Sequence, residues 1–138
     1  MSTNSTITVR TAENERQMIY CHWDGYPTNN GAILLLHFNT HEKAIELVKH
    51  GDLSALRPRI SPEPNESHSF DKPLEDVCIY YGRDRGETNV NPITLSNSDS
   101  LKSHLREYNY YFDGENWYVT NGTGKGKKLL TKKMCELD

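Results

Sequence analysis

Apolar and polar residues alternate at the start of the chain. In "TITVRT", Thr6 to Thr11, Ile7 and Val9 fall on one side and Thr6, Thr8 and Arg10 on the other, the period of a half-buried strand. The polar "AENE" then predicts a turn, and "RQMIYCHW", Arg16 to Trp23, predicts the partner strand of a hairpin. The pattern changes at "NGAILLLHF", whose leucine block predicts a helix capped by Asn29 or Asn30. "NTHEKAIELVKHG" follows with helical spacing. Asn39 is the predicted cap, Glu42 stands three residues on as in a capping box, Ala44, Ile45, Leu47 and Val48 form the buried stripe, and Gly51 ends the helix.

Residues 52–75 carry four prolines (Pro58, Pro62, Pro64 and Pro73) and are expected to form one long ordered loop. "DVCIYYG", Asp76 to Gly82, predicts a strand, and residues 86–97 a polar loop. Ser98 or Asp99 is the expected cap of a short helix through Arg106. "YNYYFDGENWYVT" predicts a second hairpin with Asp113-Gly114 in its turn, and Lys127 to Leu137 a last short helix. The expected fold is α+β: a small, mostly antiparallel sheet of two hairpins plus a central strand, packed with two to four helices. Residues 1–138 form one expected domain, with 124–138 as a basic C-terminal tail.

Composition limits the function classes. With 35% apolar residues and a mean hydropathy of −0.78, the core is expected to be modest and the surface very polar. No stretch approaches the ~20 apolar residues of a membrane span, and "MSTNSTITVRTAENE" lacks the pattern of a secretory signal. Cys21, Cys78 and Cys135 are an odd, widely spaced set, which fits a reducing compartment, read here as cytoplasm. A net charge of −3 argues against a general duplex-DNA binder and against an acidic DNA mimic. The one-sided block is "GKGKKLLTKKM", Gly124 to Met134, with five lysines and no acid. Its ordinary role is a solvated face; weak nucleic-acid contact is the alternative.

Two segments carry candidate chemistry. In "HWDGYP", strand alternation would set His22, Asp24 and Tyr26 on one face as a pocket wall, with Trp23 on the other. The rival reading is a turn in which Asp24 bonds nearby amides and Trp23 plugs the core. In "YGRDRGE", Arg83 and Arg85 lie between glycines and can present planar forks to a phosphate, with Asp84 and Glu87 beside them. The same alternation of charge allows a structural ion-pair loop instead. His68, in "ESHSFD", could join His22 as acid, base or ligand, or serve only packing. His37 and His41 are not expected to share a helical face. Neither HExxH nor CxxC is present, so no metal and no cofactor is expected. Cys21 and His22, as strand neighbours, point apart, and Cys78 reads as core. "NGTGKGKK" fails the spacing of a phosphate loop.

The combination of "IYCHWDGYP", "HEKAIELVKHGDLSALRPRI", "HSFD", "YGRDRGE" and "YYFDGENWYV" resembles a group of small, largely uncharacterised proteins encoded by bacteriophages and prophages. The likeness covers about Ile19 to Val119; "GDLSALRPRI" departs from the group's smaller "SSLG" pattern. The resemblance implies an accessory or counter-defence protein of the host cytoplasm. Three roles follow. The first is sequestration of a small anionic, nucleotide-like ligand by His22, Trp23, Asp24, Tyr26, His68, Arg83, Asp84, Arg85 and Glu87. The second is inhibition of a host defence protein in the manner of an anti-CRISPR protein, and the third a small phosphodiesterase or nuclease using His22 and His68. No catalytic residue is assigned, and a homodimer is the expected assembly.

Overall fold

The structure, a computed structural model, describes residues 3–96 and 104–137. Eight strands build a mixed sheet: β1 (Ser5–Ala12), β2 (Glu15–Cys21), β3 (Leu53–Ala55), β4 (Ile79–Tyr80), β5 (Ile93–Leu95), β6 (Tyr108–Phe112), β7 (Trp117–Asn121) and β8 (Lys128–Leu129). Among the described residues three α-helices accompany them: α1 (Ala32–His37), α2 (His41–Lys49) and α3 (Tyr81–Arg85), with a π-turn at Pro27–Gly31 leading into α1. The strand order is β4-β3-β2-β1-β6-β7-β8, with β5 also pairing with β2. The α+β class is as expected, with the sheet dominant.

Both expected hairpins form. Glu13 and Asn14 close β1–β2, and residues 113–116 close β6–β7, where Asp113 Oδ1 accepts from the amides of Glu115 and Asn116 at 2.8 Å each. The hairpins meet directly, because β1 pairs with β6 in parallel, Ile7 opposite Tyr110 and Val9 opposite Phe112. The strand expected between them lies at the sheet's edge instead. Only Ile79 and Tyr80 of that segment form a strand, with Val77 bridged to Arg59, and the chain coils into α3 at Tyr81. Within the expected loops, β3 and β5 are short strands that take their pairing from β2.

Alternation on β1 divides the sheet into two faces. Ile7, Val9, Ile19, Tyr110, Phe112 and Trp117 point toward α1 and α2, where Leu34, Ala44, Leu47 and Val48 complete the core. Buried aromatics with polar heads each reach a backbone carbonyl: the Trp117 indole donates to Phe38 (3.0 Å), Tyr110 to Gly25 (2.6 Å) and Tyr80 to Leu47 (2.5 Å). These bonds make burial of the rings affordable.

The cap of α2 is Thr40, not Asn39: its hydroxyl accepts from the Lys43 amide at 3.2 Å, and its backbone is extended. Gly51 ends the helix at φ 86, and a Cβ there would sit 2.2 Å from the Val90 carbonyl, so no other residue fits. The expected helix between Ser98 and Arg106 falls mostly outside the described residues. The C-terminal segment is not helical; Lys128 and Leu129 add a strand to β7, Leu130 enters the core, and turns follow to Glu136. Among the described residues no helix is long and apolar enough to cross a membrane.

Candidate functional site

The "HWDGYP" segment begins where β2 leaves the sheet. The amides of His22 and Trp23 still donate to Leu53 and Ser54 of β3, both at 3.0 Å. The backbone then turns through Asp24 at φ 55, a conformation Asp tolerates better than most residues. Gly25 follows because a Cβ would meet Thr3 O, Asn4 O and Ser5 Cβ, each at 2.9 Å. Trp23 does not plug the core; it is 45% exposed and packs edge-on against His22, with ring centroids 4.6 Å apart. His22 Nδ1 shares a 2.7 Å hydrogen bond with the Tyr20 hydroxyl. The Tyr26 hydroxyl donates to Asp24 Oδ1 at 3.2 Å, and the Asp24 charge pushes the phenol pKa up. His22, Asp24 and Tyr26 therefore form two local pairs rather than one pocket wall.

The "GRDRG" segment is helix α3, closed by Gly86 at φ 77. Arg83 turns its fork inward. Its Nε and Nη2 donate to the two oxygens of Asp84 at 2.9 and 3.1 Å, Nη2 also to Cys78 O at 2.9 Å, and Nη1 to Ile60 O (2.6 Å) and Ser61 Oγ (3.0 Å). Asp84 also accepts the Tyr80 amide at 2.8 Å. Burial pushes the Asp84 carboxyl up, but the Arg83 and Tyr80 hydrogen bonds outweigh it and hold the pKa below the usual value. His68 joins this cluster. Its Nδ1 accepts the Leu74 amide at 3.0 Å, so Nε2 carries the proton toward Cys78 O (3.1 Å) and Asp84 Oδ2 (3.5 Å). Arg85 and Glu87 remain outside: they face each other at 3.7 Å in solvent, and the Arg85 guanidinium lies 4.8 Å from the Phe70 ring centroid.

The structure thus brings His68, Arg83 and Asp84 together, as an internal brace tying the proline-rich loop to α3. It keeps them apart from His22, Trp23, Asp24 and Tyr26, with β3 standing between the two segments. In the same loop Arg59 binds Glu66 and Asp76, each at 2.8 Å, which explains why this long segment is ordered.

A wide concave surface lies elsewhere, on the sheet face turned away from α1 and α2. Two rows of side chains cross it. Met18, Thr8, Tyr111 and Tyr118 stand in register across β2, β1, β6 and β7, and Tyr20, Thr6, Asn109 and Thr120 form the next row. A groove of about 550 Å³ runs along them, lined also by Arg16, Leu105, Lys125 and Lys127. The Lys127 ammonium lies 5.3 and 4.9 Å from the ring centroids of Tyr111 and Tyr118. Such cation–π contacts hold the charge over an aromatic wall.

An adjoining hollow of about 290 Å³ shares Thr6 and adds Tyr20, Met18, Asp52, Ile93, His104 and Arg106. Asn109 fixes the boundary between the two. Its Oδ1 accepts from Thr6 Oγ1 (2.8 Å) and the Arg106 amide (2.9 Å), while its Nδ2 donates to Arg106 O (3.0 Å) and Asn121 O (2.9 Å). Asp52 accepts the Tyr20 amide at 2.9 Å, and partial burial pushes its carboxyl pKa up.

Sequence reasoning passed over this face because its residues come from five strands and make no local motif. The available signal was the outward half of each alternation, Thr6 and Thr8 on β1 and Tyr111 and Tyr118 flanking the Asp113-Gly114 turn. All three thiols are buried, and burial pushes Cys21 up to about 11 and Cys78 up to about 12. Among the described residues no three His, Cys, Asp or Glu side chains gather as a metal site. Comparison of the chain with protein-family models, with curated proteins and with solved structures found no match.

Proposed function

We propose that this protein binds a small anionic ligand of nucleotide type and holds it unchanged, in the groove on the open sheet face. The observation that carries this reading is the cation over the ring pair: Lys127 lies over Tyr111 and Tyr118, with Lys125 lining the same groove and Arg16, whose Nη2 donates to Ser96 O at 2.5 Å, forming part of its wall. A flat base arriving on the tyrosines would displace the ammonium onto the phosphate the ligand brings. The geometry then matches both halves of a nucleotide. Of Arg83 and Arg85, the pair the sequence favoured for phosphate, Arg83 is engaged by Asp84 and backbone carbonyls and is a poor second choice. The resemblance to phage proteins supports a counter-defence role in the host cytoplasm, where removing a nucleotide signal would disarm an immune pathway. A homodimer remains compatible with that role.

A second reading rests on its own observation. Trp23 and Tyr26 are 45% and 38% exposed on one turn, the kind of rigid aromatic pair that anchors protein interfaces. It supports docking on a host defence protein.

Isothermal titration with nucleoside mono-, di- and triphosphates decides between them. The groove reading expects saturable binding and a rise in melting temperature, with affinity falling at least about tenfold in Tyr118→Ala/Lys127→Ala and bound ligand released intact on denaturation. If no nucleotide binds, and Trp23→Ala alone abolishes capture of a host protein, the docking reading replaces it.

A further inference from the structure

The hollow beside the groove is a compartment of its own. Thr6 and Asn109, both buried and joined by a 2.8 Å hydrogen bond, form the ridge between the two. Its floor is apolar and aromatic. Met18 and Ile93 stand opposite each other on β2 and β5, and Tyr20 follows Met18 on the same face of β2. Asp52 and Arg106, of opposite charge, line its walls together with His104.

Each charge is set in place by backbone rather than by the other charge. β2 pairs with β5 as far as Met18 and with β3 from Cys21, which leaves the Tyr20 amide between them. Asp52 Oδ1 accepts that amide at 2.9 Å, while the Asp52 amide donates to Val90 O (2.9 Å) and its carbonyl accepts from Tyr81 (3.2 Å). Arg106 is clamped by Asn109, which accepts its amide and donates to its carbonyl. The guanidinium lies 5.3 Å from the Tyr20 ring centroid, and Nη1 donates to His104 O (3.2 Å) and Leu105 O (3.1 Å). Among the described residues, Asp52 Oδ2 and Arg106 Nε and Nη2 have no hydrogen-bond partner, and no ion pair joins the two side chains. Burial pushes the Asp52 carboxyl up, and the Arg106 charge draws it down through space without contact. Two fixed charges of opposite sign disfavour a lone anion, which Asp52 repels, and a lone cation, which Arg106 repels. A ligand bearing both signs satisfies both.

We propose that this hollow binds a small zwitterion of the α-amino-acid type, its ammonium on Asp52, its carboxylate on Arg106 and an apolar side chain against Met18 and Ile93. At about 290 Å³ the hollow stands at the lower end of small-molecule sites, ~300–1,000 Å³, which suits a single amino acid rather than a peptide. The proposal is independent of the nucleotide reading of the groove. Its rival is purely structural: Asp52 serves only to satisfy the Tyr20 amide, a task that an uncharged amide oxygen performs as well.

The test is isothermal titration of the full chain with L-leucine and L-methionine, beside N-acetyl-L-leucine, which lacks the ammonium, and L-leucinamide, which lacks the carboxylate. At least one of the two amino acids should bind saturably, and each blocked form at least about tenfold more weakly, the effect of losing one charge-assisted hydrogen bond. Asp52→Asn keeps an acceptor for the Tyr20 amide and loses the charge; Arg106→Gln keeps the backbone clamp of Asn109. Both should melt close to the unaltered chain and lower amino-acid affinity at least about tenfold. Tyr118→Ala/Lys127→Ala, on the far side of the Thr6–Asn109 ridge, should bind the amino acid as the unaltered chain does. Failure of both amino acids to bind overturns the proposal. Equal binding of a blocked form, or an affinity untouched by Asp52→Asn, overturns it in favour of the structural role. Loss of amino-acid binding in Tyr118→Ala/Lys127→Ala overturns it by placing the ligand in the groove.

Discussion

Arg83 donates five hydrogen bonds, all to groups of its own chain, and its partner Asp84 is only 6% exposed. Removing Arg83 leaves the enclosed Asp84 charge with only the Tyr80 amide and His68 beside it, which costs about 3 kcal/mol. Arg83→Ala is therefore expected to lower stability by about that amount in chemical denaturation while leaving nucleotide affinity unchanged. Arg85, 55% exposed with a 3.7 Å contact to Glu87, should cost under about 0.5 kcal/mol when replaced by alanine. A loss of ligand binding in Arg83→Ala without loss of stability would return the phosphate role to this segment. Asp84 adds a pH dependence. Its folded pKa is below the unfolded value, so its contribution is fully present above the unfolded value, near 3.9, and is lost as pH falls through the folded one. The unaltered protein should lose stability across that acid window, and Asp84→Asn, already lacking the contribution at neutral pH, should show a flatter acid limb in pH-dependent melting.

At the level of elements, the cap of α2 separates local pattern from geometry. Asn39 and Thr40 are both good capping residues, and the spacing of Glu42 favours Asn39 on paper. The chain selects Thr40 because Phe38 is buried and α1 ends there, which leaves Asn39 in the link between the helices. Thr40→Ala should cost about 1 kcal/mol and Asn39→Ala only a few tenths, read from urea midpoints at constant slope. Elements with a local period or a turn signal were legible in the same way: β1 and β2 from alternation, α2 from its stripe, β6 and β7 from aromatics around Asp113-Gly114. The short strands were not. β3, β4, β5 and β8 have two or three residues each, too few for any period, and exist because a neighbouring strand offers them hydrogen bonds. The short helix expected over Lys127 to Leu137 does not form, because Lys128 and Leu129 pair with β7 instead.

The whole molecule explains why the candidate site was harder to read than the fold. Segments such as "HWDGYP" and "GRDRG" stand out in print because unusual backbone and dense polar bonding need unusual residues, and here those residues serve Gly25's close approach and the Asp84 brace. The groove needs only ordinary threonines, tyrosines and lysines, and takes shape when β1 pairs with β6 across about a hundred residues of sequence. No local spacing encodes that parallel pairing. The same arrangement makes a protein of net charge −3 gather Arg16, Arg106, Lys125 and Lys127 on one face, set against Asp52 and the Asp113 carboxylate beside Lys127 and Tyr118. Salt separates the local charge from the total. At low ionic strength the screening length exceeds ~10 Å, and the groove cations Arg16, Lys125 and Lys127 act together on a bound phosphate; toward 1 M it shrinks to ~3 Å and only contact pairs survive. Nucleotide affinity should therefore fall several-fold between low and high salt, and Lys127→Ala should flatten that dependence. The aromatic contribution, tested by Tyr118→Leu at a fixed salt concentration, should be nearly independent of it. Affinity that rises with salt would mean that the net negative charge dominates at the groove, and binding there would then have to be driven by the tyrosines alone.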